Sequence, residues 1–151
     1  MKLINQSRRT IIKSFSIFSA LAMLPNAVFA AWPKAAFETE ELGSAIKSLY
    51  GSDAVNSDKI NLKAPDIAEN GAVVPVSVST DLPNVQNISI YVESNPNPLS
   101  ATFELNENSV ADVSTRIKMG KTSNVVAAIK SDGKIYTTSK EVKVTIGGCG
   151  G

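Results

Sequence analysis

From Lys59 onward the chain repeats one pattern: short runs of alternating apolar and polar residues, each cut off by glycine, proline, asparagine or aspartate. Period-two alternation puts every apolar side chain of a run on one face, which is what a half-buried β-strand requires. Segments 59–64, 72–79, 87–93, 101–105, 111–119, 124–130 and 134–146 read in this way. Their apolar faces include Ile60, Leu62 and Ala64; Ile88, Ile90 and Val92; Ala101, Phe103 and Leu105; and Val113, Ile117 and Met119. Ser131-Asp132-Gly133 joins the last two runs as a hairpin turn, with glycine where positive φ is needed. About seven short strands with turn signals between them predict an all-β fold, an immunoglobulin-like antiparallel β-sandwich. The paired cysteines of antibody domains are missing and the single tryptophan, Trp32, precedes the first strand, so the expectation concerns architecture alone. Pro75 offers no backbone N–H to a ladder, which places the strand over 72–79 at a sheet edge.

One segment has a different period. Over 39–50, Leu42, Ala45, Ile46 and Leu49 recur at helical spacing and form one apolar stripe. Thr39 is positioned to cap this short N-terminal helix, Glu40 and Glu41 favour its positive end, and Gly51 can terminate it. The stripe is expected to pack on the sheet.

The first 30 residues follow a separate logic. A basic start (Lys2, Arg8, Arg9, Lys13), an apolar run over 14–24 and the small-residue stretch before Ala30 and Ala31 form a secretory signal peptide, cleaved between those two alanines. The run is too short to span a bilayer. Arg8-Arg9, with Ser7 before and Ile11, Ile12 and Lys13 after, marks a twin-arginine-type export signal and hence a periplasmic protein. Removal takes four of the 15 basic residues and no acid, leaving 11 against 14 acids, a net charge of −3. That balance gives no reason to expect nucleic acid or an anionic membrane as partner. Of the remaining 121 residues (151 less 30), those over 31–146 are expected to form one sandwich domain, with 147–151 as a flexible arm.

Past the last strand the side chains almost stop. Gly147, Gly148, Gly150 and Gly151 surround Cys149, the only cysteine. With one thiol no internal disulfide can form. A lone cysteine ordinarily acts as a small buried hydrophobe, but nothing in this tail could be buried with it. A free thiol on an exported protein is open to oxidation or pairing. Five residues reach at most about 17 Å, at roughly 3.3–3.6 Å each. The arrangement is a thiol on a thin tether, shaped to enter narrow pockets of other proteins. No neighbour lowers the thiol pKa, so its activation has to come from the proteins that receive it.

Other chemistry is poorly provided for. The chain has no histidine, which removes the commonest metal ligand and general base. Paired carboxylates, a Ser/His set and metal-ligand clusters do not occur as motifs. Met119-Gly120-Lys121-Thr122 imitates the end of a phosphate loop, but position 115 is threonine rather than glycine and a strand follows. Asn95-Pro96-Asn97-Pro98 reads as a rigid turn.

With these features together, the chain resembles the SoxY family, the sulfur-carrier subunits of the periplasmic thiosulfate-oxidising system. The resemblance rests on the Gly-Gly-Cys-Gly-Gly tail, the export signal and three stretches, I-A-E-N-G-A-V-V-P-V, N-P-N-P-L-S-A-T-F-E-L and T-R-I-K-M-G-K-T-S-N-V-V-A-A. It implies a carrier that is not itself an enzyme and has no cofactor of its own, with Cys149 as the attachment site for sulfur intermediates and the glycines as a swinging arm. It further implies a heterodimer with a SoxZ-type subunit, with four steps performed by visiting enzymes. A haem c-containing enzyme joins thiosulfate to the cysteine, and a manganese-dependent hydrolase releases sulfate. A sulfur dehydrogenase, where present, oxidises the remaining sulfur, and a second hydrolysis restores the thiol.

The residues alone leave a second reading, a non-catalytic periplasmic interaction module whose cysteine makes a disulfide-linked dimer. A ubiquitin-like sulfur carrier is disfavoured, since terminal thiocarboxylate chemistry needs ATP and this strand pattern differs from a β-grasp.

Overall fold

The structure, a computed structural model, describes residues 33–145. The expected signal peptide with Arg8, Arg9, Ala30 and Ala31 lies outside the described residues, as do Ile146, Cys149 and the four glycines around it. Among the described residues, two helices lead into nine strands: α1 (Lys34–Glu38), α2 (Leu42–Tyr50), β1 (Ala54–Asn56), β2 (Ile60–Lys63), β3 (Ile67–Ala68), β4 (Val74–Thr80), β5 (Val85–Val92), β6 (Leu99–Glu104), β7 (Asp112–Ile117), β8 (Ser123–Ser131) and β9 (Lys134–Val144). The larger sheet has the order β1-β9-β8-β5-β6, with β3 also on β9, and the smaller has the order β2-β4-β7. The seven strands read from alternation are all present. Ala54–Asn56 and Ile67–Ala68 are additional, and both run parallel to β9 while the other pairs are antiparallel.

The sandwich core lies between the sheets. Val74, Val76 and Val78 of β4 face Ile88, Ile90 and Val92 of β5 and Val125, Ala127 and Ile129 of β8, all of them buried. Each such side chain contributes about 1.5–3 kcal/mol when taken from water. The larger sheet is covered on its other face too. There Tyr91, Val126, Ala128 and Ile135 pack against Ala45 and Ile46 of α2 and Ala36 of α1, with Leu42 and Leu49 at the margin. The apolar stripe therefore does pack on the sheet. This two-sided cover explains why β8 carries an unbroken buried run, Val125–Ile129, instead of simple alternation.

Two expectations are corrected. Thr39 does not cap the helix beginning at Leu42; it closes α1, where its Oγ1 donates to Ala35 O at 2.6 Å. α2 starts three residues later than expected, with Glu41 at the cap position and its carboxylate accepting from Ser44 Oγ at 2.8 Å. Gly51 ends α2 as expected, at φ 74°, donating its N–H to Lys47 O.

Pro75 does not mark an edge strand, because β4 is the middle strand of the smaller sheet. Thr80 N–H donates to Ala111 O, which sets the phase of the β4–β7 ladder and turns the backbone of alternate residues 75, 77 and 79 toward β2. β2 ends at Lys63, opposite Ser77. Pro75 sits two residues beyond that point, so its missing N–H has no acceptor to lose. The β8–β9 hairpin turns through Asp132 (φ 49°) and Gly133 (φ 73°), the two left-handed residues that match strand twist.

Candidate functional site

The site is built where β9 leaves the sandwich. β9 pairs with β8 as far as Val142, opposite Ser123, and there the backbone ladder on that side stops. Beyond it, Val144 N–H donates to Thr122 Oγ1 at 3.0 Å. On the other side β3 takes over: Lys143 N–H donates to Asp66 O at 3.0 Å and Thr145 N–H to Ala68 O at 3.1 Å. The chain is thus held by alternate neighbours through Thr145, four residues before Cys149.

The supports of this root are themselves braced. Met119 N–H donates to Gly71 O at 2.6 Å, tying the Glu69-Asn70-Gly71 turn to the β7–β8 connection. Asn70 Oδ1 accepts from Ala72 N–H at 2.9 Å and shapes that turn. Gly71 lies against Met119 O and Val144 Cγ1, so a Cβ there would collide with both. Asn95 grips the same connection from the β5–β6 loop, donating from Nδ2 to Lys118 O at 2.8 Å and accepting at Oδ1 from Gly120 N–H at 3.1 Å. The turn 95–98, read from sequence as rigid and nothing more, therefore positions the segment that holds β9.

Asp66 and Lys140 complete the neighbourhood. Lys140 Nζ pairs with Asp66 Oδ1 at 2.9 Å and donates to Ala64 O at 2.6 Å. The hydrogen bond from that ammonium, followed by its charge, holds the Asp66 carboxyl below the usual carboxylate range.

Among the described residues no group of three or more His, Cys, Asp or Glu could hold a metal ion. The buried titratable groups lie elsewhere, under α2. Tyr50 Oη meets Asn87 Oδ1 at 2.6 Å and Ser89 Oγ at 2.8 Å, and burial pushes its pKa upward. Tyr91 beside it is pushed up by burial and then by Tyr50. Tyr50 thereby pins α2 to the sheet, while the Tyr91 hydroxyl is buried without a hydrogen-bond partner among the described residues.

Sequence reasoning singled out Cys149, the glycines and the export arginines, none of which lies within the described residues. It missed Thr122, Asn95, Gly71 and β3 as supports. A signal for them was present: the three stretches that carry the family resemblance, 67–76, 95–105 and 115–128, contribute Ala68, Gly71, Asn95, Met119 and Thr122 to this one end of the sandwich.

The family described as sulfur oxidation protein SoxY matches residues 46–149. The solved sulfur carrier protein SoxY from Chlorobium limicola f thiosulfatophilum is 44% identical, with a TM-score of 0.65, over 70% of this chain and 97% of that one. A superoxide reductase (neelaredoxin) from Ignicoccus hospitalis, at 20% identity and a TM-score of 0.54 over 61% of this chain and 94% of that one, shares the fold alone. No curated protein matches. On the family match and the close structural neighbour, this chain belongs to the SoxY family and is a sulfur carrier of sulfur oxidation rather than an enzyme.

Proposed function

We propose that this carrier binds sulfur covalently at Cys149 and presents thiosulfate-derived intermediates to partner enzymes in the periplasm. One observation carries the reading: the family match runs through residue 149, and Cys149 is the only thiol in the chain. A covalent sulfur–sulfur bond to a carrier needs a thiolate, and no second cysteine can supply it.

The loading step balances as an oxidation. The Cys149 thiol and thiosulfate join through a new S–S bond, giving the cysteine S-thiosulfonate, one proton and two electrons. The electrons leave to a haem c-containing partner. Water then cleaves the terminal S–SO3 bond, under a manganese-dependent hydrolase, and releases sulfate while a persulfide stays on Cys149. Where a sulfur dehydrogenase is present, it oxidises that sulfur to a sulfonate with oxygen from three waters and carries away six electrons, and a further hydrolysis then releases a second sulfate and returns the thiol.

The geometry of the root supports a delivery role. With the chain secured at Thr145, Cys149 lies four residues on and extends at most about 14 Å, at roughly 3.3–3.6 Å per residue. Glycines on both sides add no bulk to a channel that the arm enters. A SoxZ-type subunit completes the carrier as a heterodimer, exported with it through the twin-arginine signal at Arg8 and Arg9. Covalent attachment keeps each intermediate at high effective concentration for the next enzyme. The test is thiosulfate-dependent sulfate release by the reconstituted system with Cys149→Ser in place of the natural chain. Loss of release with an unchanged unfolding midpoint is expected, and undiminished release overturns the attachment site.

A further inference from the structure

The two flanks of the sandwich are finished differently. Where β2 meets β9, Lys140 bridges to Ala64 O and Asp66 and closes the side. Where β6 faces β7, no hydrogen bond joins the two strands among the described residues, and β6 is the last strand of its sheet. The core shows through: Ala101 and Phe103 of β6 and Val113 of β7 are only half-buried.

The β5–β6 ladder fixes which backbone groups of β6 are spare. Leu105 N–H donates to Gln86 O at 3.0 Å, and the pairs Phe103↔Ile88 and Ala101↔Ile90 continue that phase. In an antiparallel pair the intervening residues turn their N–H and C=O the other way. Thr102 and Glu104 therefore direct both groups to the open flank. Edge strands are commonly guarded by lysine, proline or a bulge. β6 reads Leu-Ser-Ala-Thr-Phe-Glu, with no lysine or proline and its one charge at the end. A register shift opposite Ile90/Tyr91 stops short of the regular stretch over 101–104. β7 is better guarded, since Asp112 N–H is already taken by Val110 O at 2.9 Å and Arg116 stands exposed on it.

We propose that β6 is a docking edge, to which an extended strand of the partner subunit adds, bonding to the backbone of Thr102 and Glu104 and laying apolar side chains over Phe103 and Val113. A strand is the occupant that answers alternating unpaired N–H and C=O groups beside an apolar strip. The inference rests on the reading that the chain works as a heterodimer, and assigns the surface used.

The experiment is amide hydrogen exchange on the full mature chain, alone and with a SoxZ-type subunit as probe, with complex formation followed separately by sedimentation. The Thr102 and Glu104 amides are expected to exchange fast alone and become protected in the complex, while Ala101 and Phe103 are protected in both. Glu104→Pro removes only an outward donor, and is expected to weaken binding about tenfold, the loss of one net backbone hydrogen bond, with its own unfolding midpoint as a check on folding. A complex that forms without protection at Thr102 and Glu104 overturns the edge and leaves the heterodimer intact. No complex by sedimentation overturns the heterodimer, and the edge's assignment to it. Protection that rises with concentration of the chain alone makes the occupant a second copy and overturns the proposal.

Discussion

Val144 N–H donates to Thr122 Oγ1 at 3.0 Å, just where the backbone ladder between β8 and β9 has ended. A threonine hydroxyl thus continues the work of a strand for one more residue. Thr122→Val keeps the shape and removes the acceptor. We expect a loss of about 1 kcal/mol in stability, with faster amide exchange at Val144 and no change at Val142. Equal exchange at both positions in the variant would show that β3 alone secures the end of β9.

Gly71 touches the same root, against Met119 O and Val144 Cγ1. Gly71→Ala forces a methyl group into backbone, which costs about 1–3 kcal/mol in a packed region. Urea unfolding reads it directly. A neutral result would mean that the turn moves away from Met119 without loss.

Tyr50 ties α2 to the sheet through Asn87 and Ser89, and its buried phenol titrates above its ordinary 10.0. The folded state keeps this proton at a pH where the unfolded chain has lost it. The contribution to stability is therefore complete below pH 10.0 and falls away as pH rises above it. Tyr91 acts in the same direction. We expect an unfolding midpoint that drops above pH 10.0, with a shallower drop in Tyr50→Phe. An identical alkaline slope in the variant would remove Tyr50 from this role.

Much of this was legible in the residues because burial imposes a period. Strands with one dry face announced themselves, and so did the helix that covers the sheet. β1 and β3 did not, since three and two residues are too few to display alternation. Pro75 misled because a proline's meaning depends on where its neighbour strand stops, here at Lys63. Thr39 sat between two helices and was assigned to the wrong one. Thr122 and Asn95 gave no sign on their own, because their roles come from partners 22 and 23 residues away.

The arm yields a prediction that separates delivery from folding. Gly148→Val and Gly150→Val add bulk on either side of Cys149, past the last described residue, Thr145. Both are expected to slow sulfate release in the reconstituted system while leaving the unfolding midpoint unchanged. Full turnover in both variants would remove the argument for a narrow passage.

The most direct test of the account is the intact mass of the mature protein from cells grown on thiosulfate, taken with and without reductant. The account predicts sulfur or thiosulfonate adducts on the peptide containing Cys149, released by reductant and absent from Cys149→Ser. An unmodified thiol throughout, or a stable disulfide-linked dimer and nothing else, would contradict it.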